Sequence, residues 1–215
     1  MKQFVVIGCG RFGASVATSL YSLGYDVLAI DKDEEKIQDL SDHVTHAVAA
    51  DAIDENALRT LGIRNFDVAV VSIASDIQAS IMATLIAKEL GVKTVIAKAH
   101  NDLHGKVLKK IGADRVVFPE REMGLRVAHN LVSTNILDYI ELAPDYSIVE
   151  ISTNKEWVGK ALKEIGLPTK YGINVMAIKH GNDINITPYG DDVIREGDVL
   201  IVIGSNEDLR KLERR

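Results

Sequence analysis

The residues best able to do chemistry stand near the start of the chain, where Gly8-Cys9-Gly10-Arg11-Phe12-Gly13 fills a G-x-G-x-x-G pattern. In such a pattern the first glycine allows a tight turn, the second lets the backbone approach a pyrophosphate, and the third lets a helix pack closely on a strand. Asp31 follows Gly13 by 18 residues, the distance at which a carboxylate accepts hydrogen bonds from both hydroxyls of a ribose and repels a 2′-phosphate. Arg11 lies inside the loop, where a guanidinium can fork onto phosphate oxygens. A cation is unfavourable at the positive end of a helix unless an anion is present, which favours that role over a merely solvated arginine. Phe12 in the loop and Lys32 beside Asp31 join the expected nucleotide contacts, with Asp51-Ala52 in the turn after a later apolar run. Asp51 either touches the adenosine or caps the helix that follows.

Other chemistry-bearing residues carry less. His100 and His104 are four apart, but no third ligand is spaced to complete a metal site, and surface polarity explains them better. Cys9 lies near a helix start, which lowers a thiol pKa, yet no partner cysteine or base accompanies it; it reads as a small packed residue. Lys106, Lys109, Lys110 and Arg115 read as a solvated face.

The glycine pattern has meaning only between a strand and a helix, and the sequence supplies both. Apolar runs at Phe4–Ile7, Asp26–Ile30, Ala47–Ala50, Val68–Val71, Thr94–Ala97 and Val116–Phe118 predict six strands. Residues 11–24, 33–42, 54–62, 76–90 and 102–112 carry apolar residues at helical spacing, as in Phe12, Val16, Leu20 and Leu23, with Gly24, Gly62, Gly91 and Gly112 at the stops of four helices. Strands alternating with helices predict an α/β fold, a Rossmann-like doubly wound parallel sheet built from right-handed β-α-β units. Residues 120–134 predict a further amphipathic helix that crosses to a second, smaller α+β domain. That domain has strands expected at 137–142, 147–152, 173–179, 183–187 and 198–204 and short helices near 159–165 and 206–213. Gly181-Asn182 between two apolar runs predicts a tight hairpin. The expected domains are 1–135, which includes the crossover helix, and 136–215.

The chain has 215 residues, 47% hydrophobic and 26% charged, which excludes a disordered or low-complexity protein. Its apolar runs fall far short of the ~20 residues that cross a bilayer, and the amino terminus lacks a signal-peptide pattern, so a cytoplasmic location is expected. One cysteine excludes an internal disulfide. Residues 1–135 hold 15 basic and 17 acidic side chains and the remainder 10 and 14. Neither part is a basic nucleic-acid domain, and no nucleic-acid partner is expected.

The glycine loop, Asp31 and Asp51-Ala52 combine with the stretch from His129-Asn130 to Ile140 and with Ile194-Arg195-Glu196-Gly197-Asp198-Val199-Leu200. Together they resemble the cytosolic regulatory subunits of bacterial Ktr/Trk potassium uptake systems, an RCK (regulator of K⁺ conductance) N-terminal domain followed by an RCK C-terminal domain. The segments Gly62-Ile63-Arg64-Asn65-Phe66-Asp67, Ile77-Gln78-Ala79-Ser80, Lys110-Ile111-Gly112-Ala113-Asp114, Pro119-Glu120-Arg121-Glu122-Met123-Gly124 and Lys170-Tyr171-Gly172 are similar to the Ktr branch. The resemblance implies homodimers assembled into a homo-octameric ring that docks on a membrane-embedded potassium-translocating subunit and gates it by changing shape. It implies no catalysis. The Ktr branch implies ATP and ADP as ligands, whereas Trk-type members respond to NAD and NADH; the glycine loop fits either.

The resemblance at Pro119-Glu120 also implies that Glu120 holds a divalent cation, Mg²⁺ or Ca²⁺, against the terminal phosphates of ATP. The same residue at a helix start is favoured by the dipole without any ligand. In the C-terminal domain the family can bind cyclic di-AMP across a dimer interface. Ile173, Asn174 and Pro188 are the matching pocket residues, while Pro168 stands where the family places an arginine.

Two other classes compete. A nicotinamide-dependent oxidoreductase needs a proton donor and a cationic substrate clamp, yet His180 is the one histidine after residue 135. A DNA-binding redox sensor needs a helix-turn-helix segment and a basic face, and neither is visible. Two variants, Asp31→Ala and Gly10→Val, are expected to abolish nucleotide binding while sparing the fold. The apolar faces of 76–90 and 120–134 are expected to meet other subunits.

Overall fold

The computed structural model describes residues 2–73, 75–132 and 136–213. It divides into two compact units, Met1–Pro119 and Glu120–Arg215.

The first unit alternates strand and helix: β1 Gln3–Ile7, α1 Arg11–Ser22, β2 Asp26–Asp31, α2 Glu34–Leu40, β3 His46–Ala49, α3 Glu55–Thr60, β4 Val68–Val71, α4 Ile77–Glu89, β5 Thr94–Lys98, α5 Asp102–Lys110 and β6 Arg115–Val117. The strands pair in parallel in the order β3-β2-β1-β4-β5-β6. The order reverses at β1, which lies between β2 and β4, so a crevice opens beyond the carboxyl ends of β1 and β4. This is the doubly wound sheet the β-α alternation predicts.

Side chains alternate across the strands, and both faces are covered. Val5 and Ile7 of β1 pack with Leu58, Ala83, Ile86 and Leu108 of α3, α4 and α5. Val6 packs on the opposite face with Ala17, Ile37 and Leu40 of α1 and α2.

Helix α6, Pro119–Val132, starts on a proline, a residue whose fixed φ suits the first helical turn. The second unit then forms β7 Ile136–Ala143, β8 Tyr146–Ser152, α7 Leu162–Ile165, α8 Leu167–Tyr171, β9 Asn174–His180, β10 Asp183–Asn185, β11 Val199–Ser205 and α9 Asn206–Glu213. Its five-stranded sheet has the order β10-β9-β11-β8-β7, and every pairing is antiparallel. One face is covered by a core of Val149, Ile151, Leu167, Ile173, Ile194, Leu200 and Leu209. His180 pairs directly with Asp183, which leaves Gly181-Asn182 as the expected two-residue hairpin turn. His180 Nδ1 also lies 2.6 Å from Oδ1 of the buried Asp198, tying that hairpin to the turn before β11.

Candidate functional site

Strand β1 ends at Gly8, whose N–H donates to the Ile30 carbonyl (2.8 Å) and continues the β1–β2 ladder by one bond. The chain must then turn sharply into α1. Gly8 has φ +93°, and a Cβ there would stand 3.0 Å from Ile73 and Ser72, so this position is closed to side chains both by backbone and by space. Gly13 lies against the same turn: its Cβ would fall 1.9 Å from the Gly8 carbonyl oxygen. The first and third glycines thus build the turn and bring α1 onto it.

Gly10 differs from both. Its φ of −69° and ψ of −178° suit any residue, and nothing lies within 4 Å of the place a Cβ would occupy. The space over Gly10 is open, and it adjoins the amides that start α1. Four neighbouring helices close their first turn with a side chain: Asp33 on α2, Asp54 on α3, Asp76 on α4 and Asn101 on α5. Helix α1 has no side-chain cap and no acid in its first turn. Its amino end is a positive site free to take an anion. Arg11, the first residue of this helix, is exposed and has no hydrogen-bond or ion-pair partner among the described residues, so it adds a second positive group.

At the end of β2 the Asp31 side chain is 10% exposed and firmly held. Oδ2 accepts from the Cys9 N–H (2.6 Å), Oδ1 accepts from the Asp33 N–H (3.0 Å), and Lys36 Nζ stands 3.6 Å from Oδ1. The carboxylate therefore fixes the glycine loop in addition to presenting an acceptor beside it, a linkage that spacing alone does not reveal. Cys9 is buried, and its thiol, desolvated and beside Asp31, is pushed up to about 12. It is a packed, unreactive residue, as expected.

Lys32 is exposed beside Asp31, and Ala52 is buried in the turn after β3. Asp51 is not the cap of the following helix. Its Oδ1 accepts from Ile53 N–H (3.1 Å) in a local turn, while Asp54 accepts from Asn56 and Ala57 (2.9 and 3.2 Å) at the start of α3. The helix begins at Glu55, so only Asp54 is placed to reach its first amides.

The sequence missed two residues at the same sheet edge. Lys98 ends β5, is 7% exposed, and holds its Nζ 5.7 Å from the centroid of the Phe12 ring. The alternation of β5, with a single charge closing an apolar run, was the available signal. His104 corrects the expectation of surface polarity: it is buried, its Nδ1 accepts from the His100 N–H (3.2 Å), and Nε2 has no partner. Burial, with His100 close by, holds its pKa below the usual histidine value. Among the described residues no group of three or more histidine, cysteine or acidic side chains is placed to hold a metal.

Two family models match the chain, the TrkA-N domain over residues 4–119 and the TrkA-C domain over residues 146–215. The Ktr system potassium uptake protein C of Bacillus subtilis is 50% identical over 100% of this chain and 97% of its own length. The chain belongs to the Ktr branch of the RCK regulators. Another relative of this Ktr-branch chain, the Ktr system potassium uptake protein A of the same organism, is 45% identical over 99% of the chain and 96% of the relative. The GsuK channel bound to NAD shares the fold at TM-score 0.69 and 18% identity, covering 99% of this regulator and 39% of that chain.

The remaining expected site residues of this Ktr-branch regulator lie in its second unit. Glu120 is exposed in the first turn of α6. Ile173 is fully buried in that unit's core, so it presents no surface to a ligand. Asn174 is exposed at the start of β9, and Pro188 is half-buried in the loop after β10.

Proposed function

We propose that this regulator is a cytosolic nucleotide-sensing subunit that gates a membrane potassium transporter or channel, with ATP and ADP at the glycine loop setting the shape of a homo-octameric ring. The observation that carries the reading is the uncapped start of α1, open over Gly10, beside the Asp31 carboxylate that holds the loop from the end of β2. Phosphate oxygens accept from the α1 amides and from Arg11, and the ribose hydroxyls donate to Asp31. The useful output is binding energy that differs between two shapes of the assembly; no bond of the nucleotide needs to break.

Ring assembly draws support from exposed apolar side chains among the described residues, Ile77 and Met82 on α4 and Met123, Leu125, Val127 and Leu131 on α6. No helix among the described residues is long and apolar enough to cross a membrane, which suits a subunit that reaches the bilayer through a partner. Glu120 is proposed to hold Mg²⁺ or Ca²⁺ with ATP. Cyclic di-AMP is proposed as a second ligand at a contact between C-terminal units, with Asn174 and Pro188 as its surface residues.

Calorimetric titration of the purified assembly with ATP, ADP, NAD and NADH, paired with solution scattering, tests the reading. Tight ATP and ADP binding with two different scattering profiles is expected. NAD or NADH binding more tightly than both adenine nucleotides, or identical profiles in all ligands, would overturn it.

A further inference from the structure

Two buried side-chain atoms have no hydrogen-bond partner among the described residues, Ser80 Oγ on α4 and His104 Nε2 on α5. Ser80 is fully buried and His104 is 3% exposed. Buried polar groups in folded proteins are, with few exceptions, bonded to other protein groups or to ordered water. Two orphans on neighbouring helices therefore call for one explanation.

Their surroundings fix what each can offer. His104 Nδ1 accepts from the His100 N–H at 3.2 Å. A neutral imidazole accepts on one nitrogen and donates from the other, so the proton sits on Nε2, which is a buried donor. Hydroxyls inside a helix often turn back to the carbonyl four residues earlier, as Thr84 does to Ser80 at 2.8 Å. Ser80 does not do so, although Asp76 stands four residues before it, and its hydroxyl is left for a group outside its own helix.

The fold brings the two to one level. Helices α4 and α5 follow the adjacent parallel strands β4 and β5, touch each other, and share a core in which Ala83 and Ala87 meet Leu108. Near the end of α4, the Lys88 side chain lies 3.5 Å from the place a Cβ of Gly112 would occupy just past α5, and its Nζ bonds Asp114 at 3.0 Å. Ser80 stands eight residues before Lys88, and His104 eight before Gly112. At the helical rise both lie about 12 Å back along parallel helices. Ser80 shares the inward face of α4 with Ala83, Thr84 and Ala87, and His104 that of α5 with Leu108.

We infer that a single buried water molecule binds at this α4–α5 seam, accepting from His104 Nε2–H and donating to Ser80 Oγ. The ligand must accept from an imidazole N–H, bond a hydroxyl and fit between two packed helices, and water has both functions at the smallest size. Two hydrogen bonds that meet at one water bridge atoms about 4.5–5 Å apart, a gap that a direct bond cannot close. The bridge ties together the first turns of two helices that both begin at the carboxyl edge of the sheet. The inference does not depend on the nucleotide reading of the glycine loop.

A high-resolution crystal structure of the full chain tests it directly, with water density expected about 2.7–3.2 Å from both atoms. Thermal unfolding at about pH 8, where histidine is neutral, then measures the effect of Ser80→Ala in the parent, in His104→Gln and in His104→Asn. The glutamine amide reaches the place of Nε2, whereas the asparagine amide reaches only that of Nδ1. Ser80→Ala is expected to lower Tm by about 2–4 °C in the parent and in His104→Gln, the loss of about one buried hydrogen bond, and by less than half as much in His104→Asn. An equal loss in all three backgrounds would overturn the inference. So would a crystal structure with no water between the two atoms, with a direct Ser80–His104 bond, or with the Ser80 hydroxyl turned back to the Asp76 carbonyl. Where a His104 variant does not fold, the crystal structure of the parent decides.

Discussion

Gly10→Val separates ligand binding from folding more cleanly than any other change in the loop. The valine Cβ meets nothing within 4 Å, and φ −69° with ψ −178° lies in the region β-branched residues favour. Gly is a better helix cap than Val by roughly 0.5–1 kcal/mol, and valine restricts the unfolded chain by a comparable 0.4–1 kcal/mol. The two nearly cancel, so stability should stay within about 1 kcal/mol of the parent, a Tm shift of no more than about 2–4 °C for a chain of this size. Affinity responds differently, because the side chain enters the open space over Gly10 beside the α1 amides. Losing two amide hydrogen bonds to a charged phosphate, each worth about 1.5–3 kcal/mol, predicts a fall of at least a hundredfold in ADP affinity. Thermal unfolding and calorimetric titration with ADP, run on the same preparation, read both quantities. An unchanged Tm together with ADP affinity within threefold of the parent would show that the phosphates do not pass over Gly10, and the site as built here would be wrong.

Gly13→Ala should do the reverse: a Cβ 1.9 Å from the Gly8 oxygen forces α1 off the turn, with a cost of at least about 1–3 kcal/mol visible as a lower Tm before any ligand is added. Asp31→Ala should weaken nucleotide affinity at least tenfold and also destabilise the free protein by roughly 1–3 kcal/mol, since the Cys9 N–H loses its acceptor; an unchanged Tm would contradict the bond drawn here. Glu120→Gln should abolish the gain in ATP affinity on adding Mg²⁺ or Ca²⁺ and leave ADP binding nearly intact, and a variant whose ATP affinity still rises with the ion removes this role. His104 is held neutral by burial, with its pKa below the ordinary value, so the unfolded chain binds the extra proton. Stability is full above about pH 6.5 and falls as pH drops from there toward the lower folded value; His104→Gln should flatten the Tm slope between pH 7 and 5, and equal slopes in parent and variant would refute it.

The sheet was legible because its signals are periodic. Apolar runs of strand length and helical spacings repeat through residue 118, and the structure returns them within a residue or two. Helix α8 was not legible: Leu167–Tyr171 is five residues with a proline in its first turn, too short to show a period. His104 was misread from its spacing to His100, although Leu108, four residues later and fully buried, lies on the same helical face and marks it as inward. The aspartates at 51 and 54 show a different limit: both precede α3, and which one caps depends on a helix boundary that sequence places only to within a few residues. The capping pattern was visible in the sequence all along. Asp33, Asp54, Asp76 and Asn101 each stand before a helix of the first unit where α1 has Gly10, so the one change of residue type among these helix starts falls on the glycine loop.

Asp31 shows why the glycine pattern and its acid belong together physically. A carboxylate offers about four acceptor positions, and the fold uses two of them on the Cys9 and Asp33 amides. The remaining lone pairs lie beside a loop whose shape those same bonds maintain. In the proposed site, ligand and loop would share one group: ribose hydroxyls would donate to a carboxylate already held in place, and little ordering would be needed on binding. A nucleotide bound only by the folded chain would stabilise it by mass action, by about 2.7 kcal/mol at a ligand concentration a hundred times Kd. If the proposed ligand binds Asp31, a carboxylate bonded directly to the loop amide at 2.6 Å would pass its effect to the backbone without an intermediate side chain.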